Sequence, residues 1–322
     1  MKRLALVWIV FTGALLAPNV SAAQVSCSRE GLQRTVDLYI AAQTKGDTSG
    51  LPLPATGFGY MENAAPADIA TGLIKKAMKI DHRRSLLDTA SCQTFTEVIV
   101  TNKEAPYVLG TRMRVNHDKI AEIEILWTTT GYWLFNADSY MQWSSTEKWD
   151  VIPAARRDSR DTLVSAANAY LDAFLEGKMD LVPWGQPCNR TEGGAHTGKG
   201  APDDSCQVGV PSGVNISNRR FVVDPTLGAI VAYCTFGAGS PGGGSGSPDT
   251  HLFRVENGKL RYVHTLTHLL QTNFRGGGAG RGAGAPGGAP GGRGAAPGSA
   301  PAGAPGGAPP TTPPNTPPGT AR

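Results

Sequence analysis

The chain has 322 residues and a formal net charge of +4, from 30 basic and 26 acidic side chains. The basic residues are scattered and form no stripe, which argues against a nucleic-acid-binding protein. The length is sufficient for roughly two domains of modest size.

The first 23 residues have the pattern of a secretory signal peptide. Lys2 and Arg3 supply the basic start, Leu4–Ala17 the apolar core, and Ser21–Ala23 the small residues that signal peptidase requires. The apolar run is short for a bilayer-spanning helix, and no second run follows it. We therefore expect a secreted or periplasmic protein with no membrane span in the mature chain; an uncleaved anchor is the alternative.

An internal repeat organises the middle of the chain. Two segments, 32–47 and 163–180, have apolar residues at helical spacing and end near a glycine, so each predicts a helix. Each is followed by a segment rich in proline or glycine that contains a glutamate: GFGYMEN (57–63) and PWGQPCNRTEGG (183–194). The repeat predicts two α+β domains in tandem.

Long strands are expected after each of these segments. In the first half, residues 94–102, 107–129 and 132–143 are rich in β-branched and aromatic residues, and 64–78 is predicted to form a helix. In the second half, residues 221–270 predict an antiparallel meander.

Within this meander, Asn257-Gly258 favours a two-residue type I′ turn, because both residues tolerate positive φ. Alternation places His251, Phe253 and Val255 on one face of the sheet. We expect one oily face with a few polar groups set into it, as in a sheet that lines a pocket.

Composition sets the domain boundaries. A polar stretch, residues 148–160, separates a first domain at 24–147 from a second at 161–274. Residues 275–322 are dominated by glycine, alanine and proline, which cannot bury a core, so this tail is expected to be disordered.

Export makes the five cysteines candidates for disulfides. We expect Cys27 to pair with Cys92 and Cys188 with Cys206, which leaves Cys234 in a strand. The sequence has no CxxC pair and no Cys/His spacing typical of a metal site, so a structural role is expected for all five.

A helix followed by a sheet, repeated in tandem, resembles the nuclear transport factor 2-like superfamily. The matching stretches include VDLYIAAQTKGD, GYMENAAPADI, TTTGYWLFNA, VPWGQPCNRTEGG and HLFRVENGKLRYVHTLT. The resemblance is closer to secreted fungal and bacterial proteins that carry an uncharacterised domain of this type. It implies two cone-shaped units, each a curved antiparallel sheet wrapped on helices, a fold that includes SnoaL-like enzymes as well as binders.

An enzyme of this type needs an acid–base group and oriented donors in an apolar pocket, where burial moves a carboxyl pKa toward the working pH. The alternatives are a helix-capping turn at Asn63, a core or rim position for His264 and ordinary ion pairing of Arg220. The catalytic candidates are Glu62, Glu192 and His264, and the substrate-binding candidates are Tyr60, Asn63, Trp184, Asn189, Arg190, Arg220 and Tyr262.

The sequence has no GxSxG, no HExxH and no nucleotide-binding loop, so no cofactor or metal is expected. The resulting hypothesis is an exported acid–base enzyme that acts on a small aromatic molecule by C–O cleavage, dehydration or isomerisation. A lignin-type aryl ether is the suggested substrate, and a homodimer is a possible assembly. The alternatives are a secreted module that binds small molecules or glycans without catalysis, and a structural protein with filled cones.

Overall fold

The computed structural model describes residues 27–207, 209–240 and 244–270. Within these ranges the chain forms three α-helices and twelve strands in two six-stranded sheets, which confirms the predicted α+β class. The predicted signal peptide and the glycine-rich tail at 275–322 lie outside the described residues. Residues 29–129 are called the first repeat, residues 160–267 the second repeat and residues 130–159 the connecting segment.

The first repeat is a helix followed by a six-stranded sheet with the strand order β2-β1-β6-β5-β4-β3. Strand β1 pairs with β6 in parallel, and the other neighbours are antiparallel. The elements are α1 (Arg29–Lys45), β1 (Gly59–Glu62), β2 (Ala65–Pro66), β3 (His82–Asp88), β4 (Gln93–Val100), β5 (Tyr107–Asn116) and β6 (Lys119–Thr129).

The connecting segment contains one α-helix, α2 (Ala137–Ser144), and the second repeat then reproduces the first. Its sheet has the order β8-β7-β12-β11-β10-β9, again with a parallel pair, β7 with β12. The elements are α3 (Arg160–Glu176), β7 (Trp184–Glu192), β8 (Ala195–His196), β9 (Ile216–Asp224), β10 (Ala229–Phe236), β11 (Ser247–Glu256) and β12 (Lys259–Thr267).

The two long helices begin and end in the same way. The hydroxyls of Ser28 and Ser159 accept hydrogen bonds from backbone N–H groups in the first turn of each helix. Gly46 and Gly177 end the helices with φ of 65° and 68°, a left-handed conformation that glycine adopts without a Cβ penalty. The repeat seen in the sequence is therefore a repeat of capping signals as well as of apolar spacing.

Each helix packs on one face of its own sheet and fills the interior of its repeat. Tyr39 of α1 and Tyr170 of α3 are fully buried, and Phe174 and Phe253 pack around Tyr170. The interiors are apolar cores in both repeats.

The opposite faces of the two sheets pack against each other. Leu86, Phe95 and Leu126 of the first repeat lie in one cluster with Val231 and Leu266 of the second. Both faces of each sheet are thus covered, and strands β11 and β12 do not present one oily face to an open pocket, as the alternation had predicted. Alternate residues of these strands point into the interior of the second repeat and into the contact between the repeats.

Two reciprocal ion pairs tie the repeats together. Arg29, at the start of α1, makes a bidentate contact with Asp224 of the second repeat at 2.8 and 2.9 Å. Arg160, at the start of α3, makes the same contact with Asp88 of the first repeat at 2.7 and 2.9 Å. Both carboxylates are almost fully buried, and each also accepts a backbone N–H from the other repeat.

Two secondary-structure predictions were wrong. Residues 132–143 were expected to form a strand, but Asn136 caps α2 by accepting a hydrogen bond from the Ser139 N–H, so a helix forms. Residues 64–78 were expected to form a helix, but they form β2 and the short 3-10 helix Leu73–Lys75. Pro66 and Gly72 within this segment disfavour a continuous helix.

The predicted disulfides are confirmed. Cys27 is bonded to Cys92 and Cys188 to Cys206, and Cys234 is free and buried. The Asn257-Gly258 turn also forms as expected, with φ of 54° and 70°. Among the described residues, no helix is both long and apolar enough to cross a membrane.

Candidate functional site

A cleft lies where the connecting segment meets the second repeat, and its volume is about 270 Å³. We call it the Glu147 cleft, because the Glu147 carboxylate forms part of its wall. Its wall also includes Trp143, Asn189, His196, Arg261 and Tyr262. Two aromatic side chains, a carboxylate, an imidazole, an amide and a guanidinium therefore meet in one small space.

Behind the cleft wall, Glu147 belongs to a chain of ionisable side chains. His264 lies between two carboxylates: Nε2 is 2.9 Å from both Glu147 oxygens, and Nδ1 is 2.9 Å from Oε1 of Glu97. Tyr140 donates its hydroxyl to Glu97 at 2.7 Å, and Arg84 lies 2.9 Å from Glu97 and 3.5 Å from Glu147. When His264 is protonated, the group has two positive charges, on Arg84 and His264. The carboxylates of Glu97 and Glu147 carry two negative charges, so the net charge of the group is zero.

The charges of this group change the proton affinity of His264. Burial by itself would lower the pKa of the imidazole, but the carboxylates of Glu147 and Glu97 outweigh burial and raise the pKa to about 9. Burial would likewise raise the pKa of Glu97, but His264 and Arg84 hold it below the ordinary value of a glutamate. His264 therefore carries its proton at neutral pH and holds it next to Glu147.

His196 supplies the opposite kind of group on the same cleft. Its ring stacks on Trp143 with a centroid distance of 3.8 Å, and Nδ1 is 2.8 Å from the Thr191 hydroxyl. Burial lowers the pKa of His196 to about 4, so its ring is neutral at neutral pH. Nε2 is buried and has no hydrogen-bond partner among the described residues, which leaves it available as an acceptor.

The β7–β8 hairpin and the loop after it position this side of the cleft. Asn189 lies in β7, next to Cys188, and the Cys188–Cys206 disulfide closes the loop that carries His196. On the adjacent strand β12, Tyr262 stacks on Trp149 at 5.8 Å and its hydroxyl accepts the Lys148 N–H. Cross-linking and stacking therefore restrain both walls of the cleft.

A second cavity, of about 360 Å³, lies on the other side of Tyr262 and Arg261. Its buried cation, Arg254, bonds Glu256 and the carbonyls of Asp150 and Leu227. These bonds satisfy the guanidinium, so we place the acid–base site in the Glu147 cleft.

Three of the residues predicted for the site lie at this cleft, but the predicted catalytic pair does not meet. Asn189 and Tyr262 line the cleft, and His264 stands behind Glu147. In the parallel β7–β12 pair, His264 is opposite Thr191, whereas Glu192 is opposite Thr265. Adjacent residues of a strand point to opposite faces, so Glu192 and His264 are on different sides of the sheet.

Glu192 and Glu62 occupy matching positions, as the repeat had indicated. Each accepts a hydrogen bond from an indole N–H: Trp133 bonds Glu192 at 2.9 Å and Trp127 bonds Glu62 at 3.3 Å. Glu62 also accepts the Tyr60 hydroxyl at 2.6 Å. These contacts hold both glutamates at the edges of the sheets and leave them outside the Glu147 cleft.

The remaining predicted residues have contacts within the fold. The Asn63 amide oxygen accepts the backbone N–H of Trp127 at 3.0 Å, and Trp184 donates to the Met179 carbonyl at 2.8 Å. Arg190 is buried, with Glu192 at 3.6 Å. Arg220 makes a bidentate contact with Glu124 of the first repeat at 2.6 and 2.7 Å, which is an ion pair between the repeats.

The three charged neighbours of His264 were missed in the sequence: Arg84, Glu97 and Glu147. Arg84 and Glu97 lie on neighbouring strands of the first repeat, and Glu147 comes from the connecting segment, so no local spacing relates them to His264. The available signal was Glu97, a carboxylate directly before the apolar run at residues 98–100 of β4, because such residues are rarely buried unless paired.

A second buried polar group, distinct from the cleft, lies inside the second repeat. Cys234, Asp249 and His251 lie on β10 and β11, and each is less than 10% exposed. The His251 Nδ1 atom is 2.9 Å from Asp249 Oδ2. Burial and the Asp249 carboxylate raise the pKa of the Cys234 thiol well above its ordinary value, so this thiol is not an activated nucleophile.

Comparison with known proteins adds one match. No curated protein matches the chain. The segment 156–267, which runs from just before α3 to the end of β12, matches a family described as a domain of unknown function, DUF8021.

Proposed function

We propose that the protein is an exported acid–base enzyme that needs no organic cofactor for this chemistry and acts on a small aromatic molecule in the Glu147 cleft. The observation that supports this most is the series Glu97–His264–Glu147, in which His264 Nε2 lies 2.9 Å from the Glu147 carboxylate, directly behind an aromatic-lined wall. The proposed reaction is hydrolytic or eliminative cleavage of a C–O bond, or a related dehydration or isomerisation.

Glu147 is the proposed acid. The His264 Nε2 proton first moves to the Glu147 carboxylate. The Glu147 carboxyl group that results gives this proton to the leaving oxygen of the substrate as the C–O bond breaks, and the bond electrons remain on the departing oxygen. The neutral imidazole that results keeps its contact with Glu97, whose charge is balanced by Arg84. The side chains of Glu97, His264 and Glu147 are all buried, so water is excluded from the path of the proton.

His196 is the proposed base. When bound substrate uncovers the neutral Nε2 atom, which lies against Gly198 in the unliganded structure, this atom accepts a proton from the attacking water in hydrolysis, or from the carbon in elimination. Trp143 holds the imidazole ring by stacking, and the Thr191 hydroxyl orients Nδ1. The acid and the base thus come from different segments, and the two protons move in opposite directions.

The walls of the cleft suggest the substrate class. Trp143 and Tyr262 offer flat apolar surfaces, and Asn189 and Arg261 offer polar groups for an oxygen substituent. A volume of about 270 Å³ is near the lower end of the range for small-molecule pockets, which suits a one-ring compound. A lignin-type aryl ether met outside the cell is our proposed example, and the two disulfides support an extracellular location.

The test is turnover of a panel of aryl ethers, hydroxy-ketones and epoxides, read by mass spectrometry for gain or loss of water. Once a substrate is found, Glu147→Gln is expected to lower kcat by about 10² to 10⁴, because the acid is lost while the shape is kept. The matched control is Glu104→Gln, which changes an exposed glutamate and should leave kcat unchanged.

Two outcomes would move the proposal elsewhere. Turnover that survives Glu147→Gln but is lost in Glu192→Gln would place the site inside the second repeat, as the sequence had suggested. Binding of a panel compound to the cleft without turnover, detected by calorimetry and abolished by Trp143→Ala, would favour the non-catalytic binding module.

We also propose membership of the nuclear transport factor 2-like superfamily for both repeats. The support is the order of a long helix followed by a six-stranded sheet, found twice. The packed faces of the two sheets resemble an interface between two cones, here formed within one chain. This internal pairing satisfies the surface through which a homodimer would otherwise form, and sedimentation analysis at several concentrations tests whether the protein is a monomer.

A further inference from the structure

The three buried side chains inside the second repeat have the chemistry of metal ligands. Cys234 Sγ is 3.6 Å from Asp249 Oδ2 and 3.9 Å from His251 Nδ1, and the last two atoms are 2.9 Å apart. A tetrahedral zinc ion with bonds of about 2.0 Å to N and O and 2.3 Å to S separates its ligand atoms by roughly 3 to 4 Å. The three atoms therefore already lie at nearly the separations that one ion requires.

The β-sheet holds these residues in place. Cys234 and Asp249 are direct cross-strand partners in the β10–β11 pair, and His251 is two residues further along β11, on the same face. On the far side of Asp249, the Thr267 hydroxyl donates to Oδ1 at 3.0 Å and leaves Oδ2 directed at the other two side chains. Such a partner on the non-coordinating oxygen orients a carboxylate ligand.

The first repeat shows that the fold does not need polar groups here. The β5–β6 and β11–β12 hairpins have the same register from turn to bulge, and the strand before each pairs in the same way. By this register the Cys234–Asp249 pair corresponds to Val98–Leu109, and both of those residues are fully buried.

The third ligand has a counterpart as well. His251 corresponds to Thr111, whose hydroxyl is 2.7 Å from that of Tyr39. At these three positions the first repeat therefore has an apolar pair and a threonine, whereas the second repeat buries a thiol, a carboxylate and an imidazole. Burying polar and ionisable groups costs free energy that an apolar pair does not.

We propose that Cys234, Asp249 and His251 bind a divalent transition-metal ion of the zinc class inside the second repeat. One thiolate and one carboxylate neutralise the two positive charges of the ion, so the complex with a neutral imidazole has no net charge and suits an apolar core. Mixed S, N and O ligands select such an ion over Mg²⁺ or Ca²⁺, which prefer oxygen ligands alone. Three protein ligands leave a fourth position for water.

The proposal is tested on the full chain with its disulfides oxidised. The protein is dialysed against micromolar Zn²⁺ or Co²⁺, and bound metal is counted by mass spectrometry of the elements. We expect one ion per chain, and for Co²⁺ a thiolate-to-metal charge-transfer band in the near ultraviolet together with the strong visible bands of a four-coordinate ion. Less than 0.1 ion per chain, or Co²⁺ bound without the charge-transfer band, would overturn the proposal.

Variants that carry the first repeat's residues give the matched comparison. Cys234→Val, Asp249→Leu and His251→Thr should each lower metal affinity at least 100-fold, while His117→Thr, which removes an exposed histidine, should leave it unchanged. Metal binding retained in all three variants would contradict the assignment. If a variant does not fold, the rate at which the Cys234 thiol of the wild-type protein is alkylated, with and without added Zn²⁺, decides the question. A slower rate with Zn²⁺ supports the proposal, and an unchanged rate places the ion elsewhere.

Discussion

The two repeats have the same backbone plan and differ in what they bury. Both have a capped helix, a six-stranded sheet with the same strand order, and a short hairpin turn at the same place. The first repeat has Val98 and Leu109 on a cross-strand pair where the second has Cys234 and Asp249. An apolar pair is therefore sufficient at this position of the sheet, and the proposed metal site accounts for the polar groups of the second repeat.

The contact between the repeats differs in a second way. By the register of the hairpins, Glu124 of β6 corresponds to His264 of β12, so an anionic position in one repeat is cationic in the other. Glu124 pairs with Arg220, which satisfies both charges. His264 instead lies between two carboxylates, and one of them, Glu147, reaches the cleft. The candidate site arises where the internal symmetry of the chain is broken.

The two reciprocal ion pairs, Arg29–Asp224 and Arg160–Asp88, should contribute equally to the free energy of unfolding. Asp88→Ala and Asp224→Ala are each expected to lower the free energy of unfolding by about 3 to 5 kcal/mol, because each removes a buried carboxylate that pairs with an arginine and a backbone N–H. Urea unfolding followed by tryptophan fluorescence measures the loss.

Asp37→Ala is the control for this pair of variants. Its carboxylate is exposed and lies 3.5 Å from Arg83, so its loss should cost less than about 1 kcal/mol. Costs for Asp88 and Asp224 that differ by more than about 2 kcal/mol would show that the two contacts are not equivalent.

Removal of each disulfide should lower the free energy of unfolding by an amount that depends on the number of residues in the loop that the bond closes. Cys27–Cys92 spans 65 residues and Cys188–Cys206 spans 18, so the chain-entropy relation gives losses of about 4 and about 3 kcal/mol on removal. Double serine variants and thermal unfolding test the order. A larger loss for the shorter loop would mean that the bond also supports the native structure around His196, and kcat should then fall in the same variant.

Deprotonation of His264 is expected to lower the free energy of unfolding in mildly alkaline solution. Its pKa is raised from 6.5 in the unfolded chain to about 9 in the folded protein, so the folded state binds more protons between these values. The stabilisation is therefore complete below pH 6.5 and is lost as the pH rises through 9. Urea unfolding from pH 6 to 9.5 should show a fall of about 3 kcal/mol.

A matched variant isolates this effect. In His264→Gln the protein should be less stable at pH 6, and the fall between pH 6.5 and 9 should be largely absent. An unchanged slope in this variant would assign the titration to another group. In the first repeat the equivalent residue, Glu124, is paired with Arg220 and has no histidine partner within the described ranges.

Much of the fold could be predicted from the sequence, because the signals were local. Apolar spacing and terminal glycines indicated both long helices, and Asn257-Gly258 indicated the type I′ turn. The failures at 64–78 and 132–143 were also local, since Pro66 and the capping residue Asn136 were present in the sequence and were given too little weight.

The candidate site could be predicted only in part. Asn189, Tyr262 and His264 were predicted as polar groups of an apolar pocket, and these three lie at the cleft or directly behind it. Their partners Glu97 and Glu147 come from other parts of the chain, and only the packing of one sheet on the other brings them to His264. A contact of this kind has no spacing in the sequence.

The smallest expected effect concerns the two hairpin turns. His117-Asp118 and Asn257-Gly258 both have positive φ, 45° and 59° against 54° and 70°, but only the second pair consists of residues that favour it. Exchanging the first pair for Asn-Gly should raise the free energy of unfolding by about 0.5 to 1 kcal/mol, and placing His-Asp at 257–258 should lower it by a similar amount. A Cβ at Gly258 would lie 3.9 Å from Thr162, an ordinary contact, so the loss comes from the backbone. Equal and opposite shifts in urea unfolding would show that the two turns are interchangeable parts of one repeated design, whereas a loss at 257–258 without a gain at 117–118 would mean that the first repeat already compensates for its turn elsewhere.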